Sequence, residues 1–570
     1  MFMTQKKKRK KKIHSRLVLN STLEIPLILI LVNNFLNQLG FVDLINRSVT
    51  WDEKQWKVSP GILAKAIILV TFFKVRAPLY IIQNSFVGID TETLFGKGVL
   101  PEHLNDYALA RALDRISEAK AESLFSSVAL SVYMKFAIPM KRLHSDTTTL
   151  SFFGAFEQCE HDPDGLQINY GYNKDHLPEC KQVVVGKIVN EHGIAVINST
   201  MNGNTSDIEW NQKALGLLKE TFGEKLAETI YIADSKLINL PTLKILRDIV
   251  CPIRFISRCP DNFYQKIANK MITKAYAKNN WREVGQMSKA KKASFYSTQE
   301  FTTDVDGHDL RFVVVKTSEG KGRAERELLK QRNHLEKGIA PLSKKVFVCE
   351  GDAEEEWTRF QKEFRKNLHL THRDLVKTET IKRPRGNPGK NPPPPVIETT
   401  WNVSVTIDGF DAERFKQLEQ GKECFVLITS VSVDELDQEQ VLRQYKAQMV
   451  VECQFHLLKQ PALASVIFLK TPGRIDALVM LLNVSLLIRG LMQYKIRKSM
   501  NESQEELPRI GVNKGVLKNP TTNYLIEALN KTALVKEAPG HYTYLLYNDY
   551  LALCVKTFFQ LLGVDMDDPF

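Results

Sequence analysis

The order of apolar and polar positions changes character along the chain. Residues 61–73 form an almost unbroken apolar run, and 105–116 repeat apolar residues at three- and four-residue steps, the spacing of a helix that buries one face. Residues 13–138 therefore read as an all-α front end. β-branched runs follow at 143–153, 183–189 and 195–201, broken by turn residues such as His192-Gly193, and predict three consecutive strands. After Asn202-Gly203-Asn204, Ser206 with Glu209 three residues on has the form of a capping box and predicts a helix to about residue 218. Residues 229–234 predict a short buried strand ending in Asp234, with a helix at 238–247 behind it. The resulting order is β-β-β-α-β-α.

From about residue 260 to 422 this rhythm is lost. A charged helix is expected at 323–337, strands at 310–315 and 345–349, and an extended, solvated loop over the Pro-rich tract 383–395. The stretch reads as an insertion. A strand at 425–428, one long helix at about 437–458, an apolar helix at 475–491, a polar link at 501–519 and a small helical tail at 550–562 complete the pattern.

Length and composition narrow the class. A chain of 570 residues exceeds what one hydrophobic core holds, so two to four domains are expected. With 43% apolar and 25% charged residues it can bury real cores, which excludes a wholly disordered or fibrous chain. The formal charge is +13, and the run KKKRKKK at residues 6–12 supplies seven of it. A polyanionic partner fits that surplus, as does a solvated surface. Eight cysteines without a C-x-x-C pair or zinc-type spacing read as reduced core thiols. The apolar runs 27–32 and 477–482 are too short to cross a bilayer, and no export signal is legible.

Three acids stand out by placement: Asp146 inside the first strand, Asp234 at the end of a later one, and Glu452 on the long helix. In a β-β-β-α-β-α unit of ribonuclease H type the first and fourth strands are neighbours, and a flanking helix brings in a third acid. Three converging carboxylates require a cation, and hard oxygen ligands suit Mg²⁺ or Mn²⁺. Two such ions are a known device for in-line phosphoryl transfer. The bland alternatives are a turn bond at Asp146 and a helix start at Asp234. On a continuous helix, Tyr445, Gln448, Glu452, His456 and Lys459 share one face. His144 points to the same side of its strand as Asp146, but Mg²⁺ prefers oxygen.

These residues carry a resemblance. The stretch from Tyr445 through Gln448 and Glu452 to Lys459 resembles the signature helix of insertion-sequence DDE transposases, which reads Tyr, two residues, Arg, three residues, Glu, six residues, Lys; Gln448 stands where the family has Arg. Asp146-Thr-Thr-Thr-Leu-Ser-Phe-Phe-Gly154 is similar to the first-Asp segment. Tyr170 to His176 and Lys181 to Gly186 resemble the segment after it. Gly203 to Asp207 and Ile232-Ala-Asp234-Ser235 match the second-Asp region, and Phe255-Ile-Ser-Arg258 the strand beyond. Gly61 to Phe73, Arg76 to Tyr80 and Leu104 to Asp114 resemble the family's helical N-terminal region.

The resemblance implies an α/β fold: a ribonuclease H-like catalytic core with a helical N-terminal domain and a β-rich insertion between the second Asp and the Glu. Its division is a basic disordered arm at 1–12, a helical DNA-binding domain at 13–138, core at 139–259, insertion at 260–424, core at 425–500, and a helical C-terminal region at 501–570 with a possible dimerisation or DNA-contact role. Asp146, Asp234 and Glu452 are the implied catalytic residues and ligands of Mg²⁺ or Mn²⁺, two ions in all. Tyr445, Gln448 and Lys459 are the implied phosphate contacts, and His176, Lys181 and Arg258 further DNA contacts. Trp357 and Trp401 in the insertion are expected to pack in a core. The implied activity is cleavage at element ends and joining of the 3′-hydroxyl to target DNA, by a homodimer on paired ends in the bacterial cytoplasm. A nuclease or resolvase on the same core and a catalytically inactive DNA-binding descendant are the alternatives.

Overall fold

The computed structural model describes residues 23–570 except 74–77, 155, 157–164, 249–251, 265, 289–292, 321, 383–393, 461–468, 509–514, 539 and 547–548. The expected basic arm and nearly all of the Pro-rich tract thus lie outside the described residues. The fold is mixed α/β, with a helical N-terminal region and extensive sheet. Two compact units divide the chain, Met1–Gly223 with Met449–Phe570, and Glu224–Gln448.

The first unit opens with β1 (Glu24–Pro26) and the helices α1 (Leu27–Gln38), α2 (Phe41–Ser48) and α3 (Pro60–Val70). The single turns α4 (Ile82–Ser85) and α5 (Thr91–Phe95) follow, then α6 (Asp106–Glu118) and α7 (Ala121–Lys135). The starts are encoded locally. Ser59 caps α3 by accepting from the Ile62 amide, with Pro60 at the first helical position, and Asn105 caps α6 through the Ala108 amide. The helix Pro472–Ser503 packs against α3, α6 and α7. It is longer than the expected 475–491, and by length and hydropathy it could cross a membrane. Its apolar window is, however, 94% buried within the protein, the environment of a core helix.

The C-terminal region also departs from expectation. Ala533–Ala538 pairs with β1 on one side and with His541–Leu545 on the other, so neither the front end nor the C-terminal region is purely helical, while the expected helical tail forms at Asp549–Leu562. An ion pair on the buried Asp90 secures this sheet: its carboxylate accepts from the half-buried Lys536 Nζ at 2.9 Å and from the Tyr542 hydroxyl at 3.0 Å. Of the described cysteines, Cys349 and Cys453 are exposed, against the expectation of core thiols throughout.

The three expected strands form β2 (Arg142–Phe152), β3 (Lys181–Asn190) and β4 (Ala195–Asn202), antiparallel with β3 in the middle. The Ser206/Glu209 capping box forms and starts α8 (Asp207–Phe222). This helix lies so close to the sheet that a Cβ on Gly186 would stand 2.4 Å from the Trp210 ring. The Trp210 indole N–H donates to Ser145 Oγ at 3.0 Å. Across the sheet, the helix Met449–Leu458 packs on β2 and β3.

In the second unit β5 (Ile230–Ala233) and β6 (Arg254–Arg258) run parallel. They continue a sheet with β7 (Arg282–Gln286), β8 (Phe295–Asp304) and β9 (Asp309–Thr317). The expected strand at 345–349 shrinks to β10 (Val346–Phe347), beside the long ribbon of β11 (His369–Lys382) and β12 (Val396–Phe410). β13 (Cys424–Thr429) lies between β6 and β9. Trp357 and Trp401 pack in the apolar cluster under the ribbon, as expected of them.

The expected helix at 437–458 is two helices, Gln438–Lys446 and Met449–Leu458. The Gln448 amide bonds to the Tyr445 carbonyl three residues back, which closes the first helix in a tighter turn. The stretch from Tyr445 to Lys459 is therefore not the one continuous helix that the shared-face expectation assumed.

Candidate functional site

β2 presents its residues alternately to two faces. Ser145, Thr147, Thr149 and Ser151 face α8, and Asp146 shares the opposite face with His144, Lys187 of β3 and Asn198 of β4, the last two through directly paired positions. The sequence supports this placement, because the β-branched threonines that follow Asp146, Thr147 to Thr149, favour an extended backbone.

A short polar network surrounds Asp146. Its Oδ1 accepts from the Thr147 amide at 2.7 Å and lies 3.6 Å from Lys174 Nζ. Lys174 Nζ is also 3.3 Å from Asp207 Oδ1 and donates to Thr147 Oγ1 at 2.6 Å, and the Thr147 hydroxyl in turn donates to Asp207 at 2.5 Å. Burial raises the Asp146 carboxyl above its ordinary value. Lys174 and the Thr147 amide oppose the rise, while the negative charges of Asp207 and Glu452 add to it. The Glu452 charge therefore reaches Asp146, although Glu452 itself is exposed on its helix.

Lys459, at the end of that helix, makes a two-point contact to Asp175, 2.6 and 2.7 Å from Nζ to the two carboxylate oxygens. His176 is exposed with a left-handed backbone, φ 59°, and Lys181 begins β3. Asp234 ends β5 in the second unit, where its carboxylate accepts from the Lys236 amide at 3.0 Å and caps the short turn Ser235–Leu237. That is the bland role expected as the alternative for this residue. Tyr445 is half-buried against the core of the second unit, its ring 6.4 Å from that of Phe425. Gln448 sits in the turn after the first helix, and Arg258 lies at the end of β6 with its guanidinium over Phe425.

Behind Asp146 the interior is short of partners. Lys187 is fully buried, its ammonium has no hydrogen-bond partner among the described residues and lies 5.7 Å from the Phe455 ring centre, and burial pushes it down to about 7. Both ring nitrogens of buried His144 also have no partner among the described residues; burial, then the Arg142 charge, takes it down to about 4. His144 thus has the chemistry of a neutral core histidine. Sequence reasoning missed Lys174 and Asp175, whose only signal was their place in the stretch Tyr170 to His176. Asp207 was visible within its motif, without a role.

Hard carboxylate oxygens suit Mg²⁺ or Mn²⁺. Among the described residues, however, no group of three or more His, Cys, Asp or Glu side chains is arranged to hold a metal ion, and the charge between Asp146 and Asp207 is offset by Lys174. A separate cleft of about 1250 Å³ lies along α6 and the start of Pro472–Ser503. Its charges are mostly satisfied internally, by Arg474 with Asp114 and by Lys213 with Glu122. Burial pushes Asp476 on its wall up to about 6.

Residues 23–130 match a family model described as "Domain of unknown function (DUF4277)". No curated protein matches the chain. Among solved structures, the cryo-EM structure of a piggyBac transposase synaptic complex with hairpin DNA aligns over 96% of this chain and 85% of its own, at 9% identity and a TM-score of 0.37. A score of that size does not establish a shared fold.

Proposed function

We propose that the chain is a DNA transposase that cuts insertion-sequence ends and joins their 3′-hydroxyls to target DNA, on a ribonuclease H-like core. The observation that carries this reading is Asp146: a carboxylate on a buried strand, at the first position of the ordered motif set, under the negative charge of Asp207 and Glu452. Asp146, Asp234 and Glu452 would hold divalent ions, whose contribution when bound is to activate the attacking oxygen and stabilise charge on the leaving one. The donor chemistry of these side chains fits such ions.

The remaining residues serve binding and orientation. Lys174 holds Asp146 and Asp207 in place and offsets their charge while no phosphodiester or ion is present. Lys459 is poised by Asp175 and can exchange that carboxylate for a phosphate oxygen. Tyr445, Gln448, His176, Lys181 and Arg258 are the further proposed DNA contacts, with terminal repeats and target as double-stranded partners of a homodimer in the bacterial cytoplasm. With Gln at 448 in place of Arg, one bidentate phosphate grip is lost.

A second reading is a catalytically silent DNA-binding descendant. The absence of a metal-holding acid group among the described residues favours it. The two separate in one experiment, incubation of the full chain with its flanking inverted repeats and a target plasmid in Mg²⁺. The transposase reading expects strand-transfer product that Asp146→Asn lowers by at least about a thousandfold. Cleavage without joining points to a nuclease, and wild-type inactivity with retained DNA binding points to the silent descendant.

A further inference from the structure

The loop before β3 combines a well-satisfied interior with two tyrosines exposed on its exterior. Asn173 Nδ2 donates to Ser151 Oγ and to Gln182 Oε1, both at 2.8 Å, while Asn173 Oδ1 accepts the amides of Asp175 and Leu177. Gln182, fully buried, donates through Nε2 to the carbonyls of Gly203 at 2.7 Å and Tyr172 at 3.2 Å. Gly171 and Gly203 meet backbone to backbone; a Cβ on Gly171 would stand 2.1 Å from the Gly203 carbonyl oxygen. The loop is thus held from inside at several consecutive residues.

On this fixed scaffold, Tyr170 is 60% and Tyr172 is 80% exposed. The two rings flank Gly171, whose missing side chain points inward. Folding stability gains little from large rings left in water, and a rigid backbone beneath them keeps the entropic cost of ordering a ligand low. Two residues beyond Tyr172, Lys174 reaches the Asp146 carboxylate. Two residues of extended chain span at most about 7 Å, roughly the repeat of one nucleotide along an extended strand.

We propose that Tyr170 and Tyr172 form a stacking platform for unpaired nucleobases beside the phosphodiester handled at Asp146. The proposal rests on the phosphodiester reading of Asp146 for its location. An unpaired base fits where a paired one does not, because only an unstacked base offers its face to a side chain. Each ring then contributes contact with a base that is tolerant of sequence, and the neighbouring lysines contribute backbone charge contacts.

The test uses the full chain and fluorescently labelled oligonucleotides, single-stranded and duplex, followed by anisotropy in Mg²⁺-free buffer. Tyr172→Ala and Tyr170→Ala should each weaken single-strand binding by about tenfold, with duplex binding unchanged. Tyr172→Phe should retain affinity, and the slope of affinity against salt should stay constant, since no phosphate contact is removed. In a scan of single abasic positions, one position should cost the wild type about tenfold and the Ala variant almost nothing. Equal loss for single strand and duplex, or equal loss for the Phe and Ala variants, overturns the platform. So does unchanged oligonucleotide binding with an altered oligomeric state, which assigns the rings to an interface between copies. Asp146→Asn keeps the two readings apart: if it leaves strand cleavage intact the phosphodiester reading fails, while the binding results still decide the platform.

Discussion

The two faces of the β2–β3–β4 sheet contrast in how their polar groups are satisfied. On the α8 face, Ser145, Thr147, Thr149, Ser151 and Gln182 all have side-chain hydrogen-bond partners. On the Asp146 face, the ring nitrogens of His144, the Lys187 ammonium and Asn198 Oδ1 are buried without partners among the described residues, as is Gln454 Oε1 on the covering helix. An orphaned buried polar group costs about 1–3 kcal/mol, so selection for stability alone would have replaced these residues by apolar ones. One face of this sheet is built as scaffold; the other retains unfavourable groups next to the acid to which the chemistry is assigned.

Substitutions can break or sharpen that contrast. The largest effect is expected on the satisfied face: Gln182→Leu strands two carbonyls and the Asn173 amide, and should lower stability by roughly 3 kcal/mol in urea unfolding. A comparable effect comes from pH at a buried lysine that does have partners. Lys65 donates to Asn37 Oδ1 and to the Leu94 carbonyl, yet burial pushes it down to about 8 from 10.5. Its folded value lies below its unfolded one, so the unfolded chain binds more protons between these limits and stability rises from about pH 8 to 10.5. That contribution is on the order of 3 kcal/mol, and thermal melts across this range should show Lys65→Met flattening the rise.

On the unsatisfied face the sign reverses. Lys187→Met replaces an unpartnered buried amine by a thioether of similar shape and should raise stability at neutral pH by about 1–2 kcal/mol; a fall in the urea midpoint would mean that the amine has a partner in solution. The smallest effect is Ser145→Ala, which leaves the Trp210 indole N–H without its acceptor at a cost of about 1 kcal/mol, measurable by the same unfolding curves.

What could be read from the sequence follows the range of the interactions involved. β2, β3, β4 and the start of α8 were legible because β-branched runs and the Ser206/Glu209 box act within a few residues. The pairing of Glu24–Pro26 with Ala533–Ala538 was not, since strands this short carry little pattern and their partner lies at the other end of the chain. The ribbon of β11 and β12 was not expected, although β12 carries a period-two signal: Trp401, Val403, Val405 and Ile407 pack inward and alternate with Asn402, Ser404, Thr406 and Asp408. At the site, Asp146 and Glu452 were visible through position and resemblance. Lys174 and Asp175 were not, because a loop folding back onto β2 places them there. The break at Ala447 was hidden by residues that all favour helix.

The most direct measurement of the central claim is Mn²⁺ binding to the full chain, followed by calorimetry in parallel for the wild type and for Asp146→Asn, Asp234→Asn and Glu452→Gln. The account predicts that the wild type binds Mn²⁺ and that each substitution weakens binding by at least about tenfold, with Mg²⁺ competing. Binding of equal strength in the wild type and in Asp146→Asn, or no binding by any of the four in the presence of DNA, would contradict it.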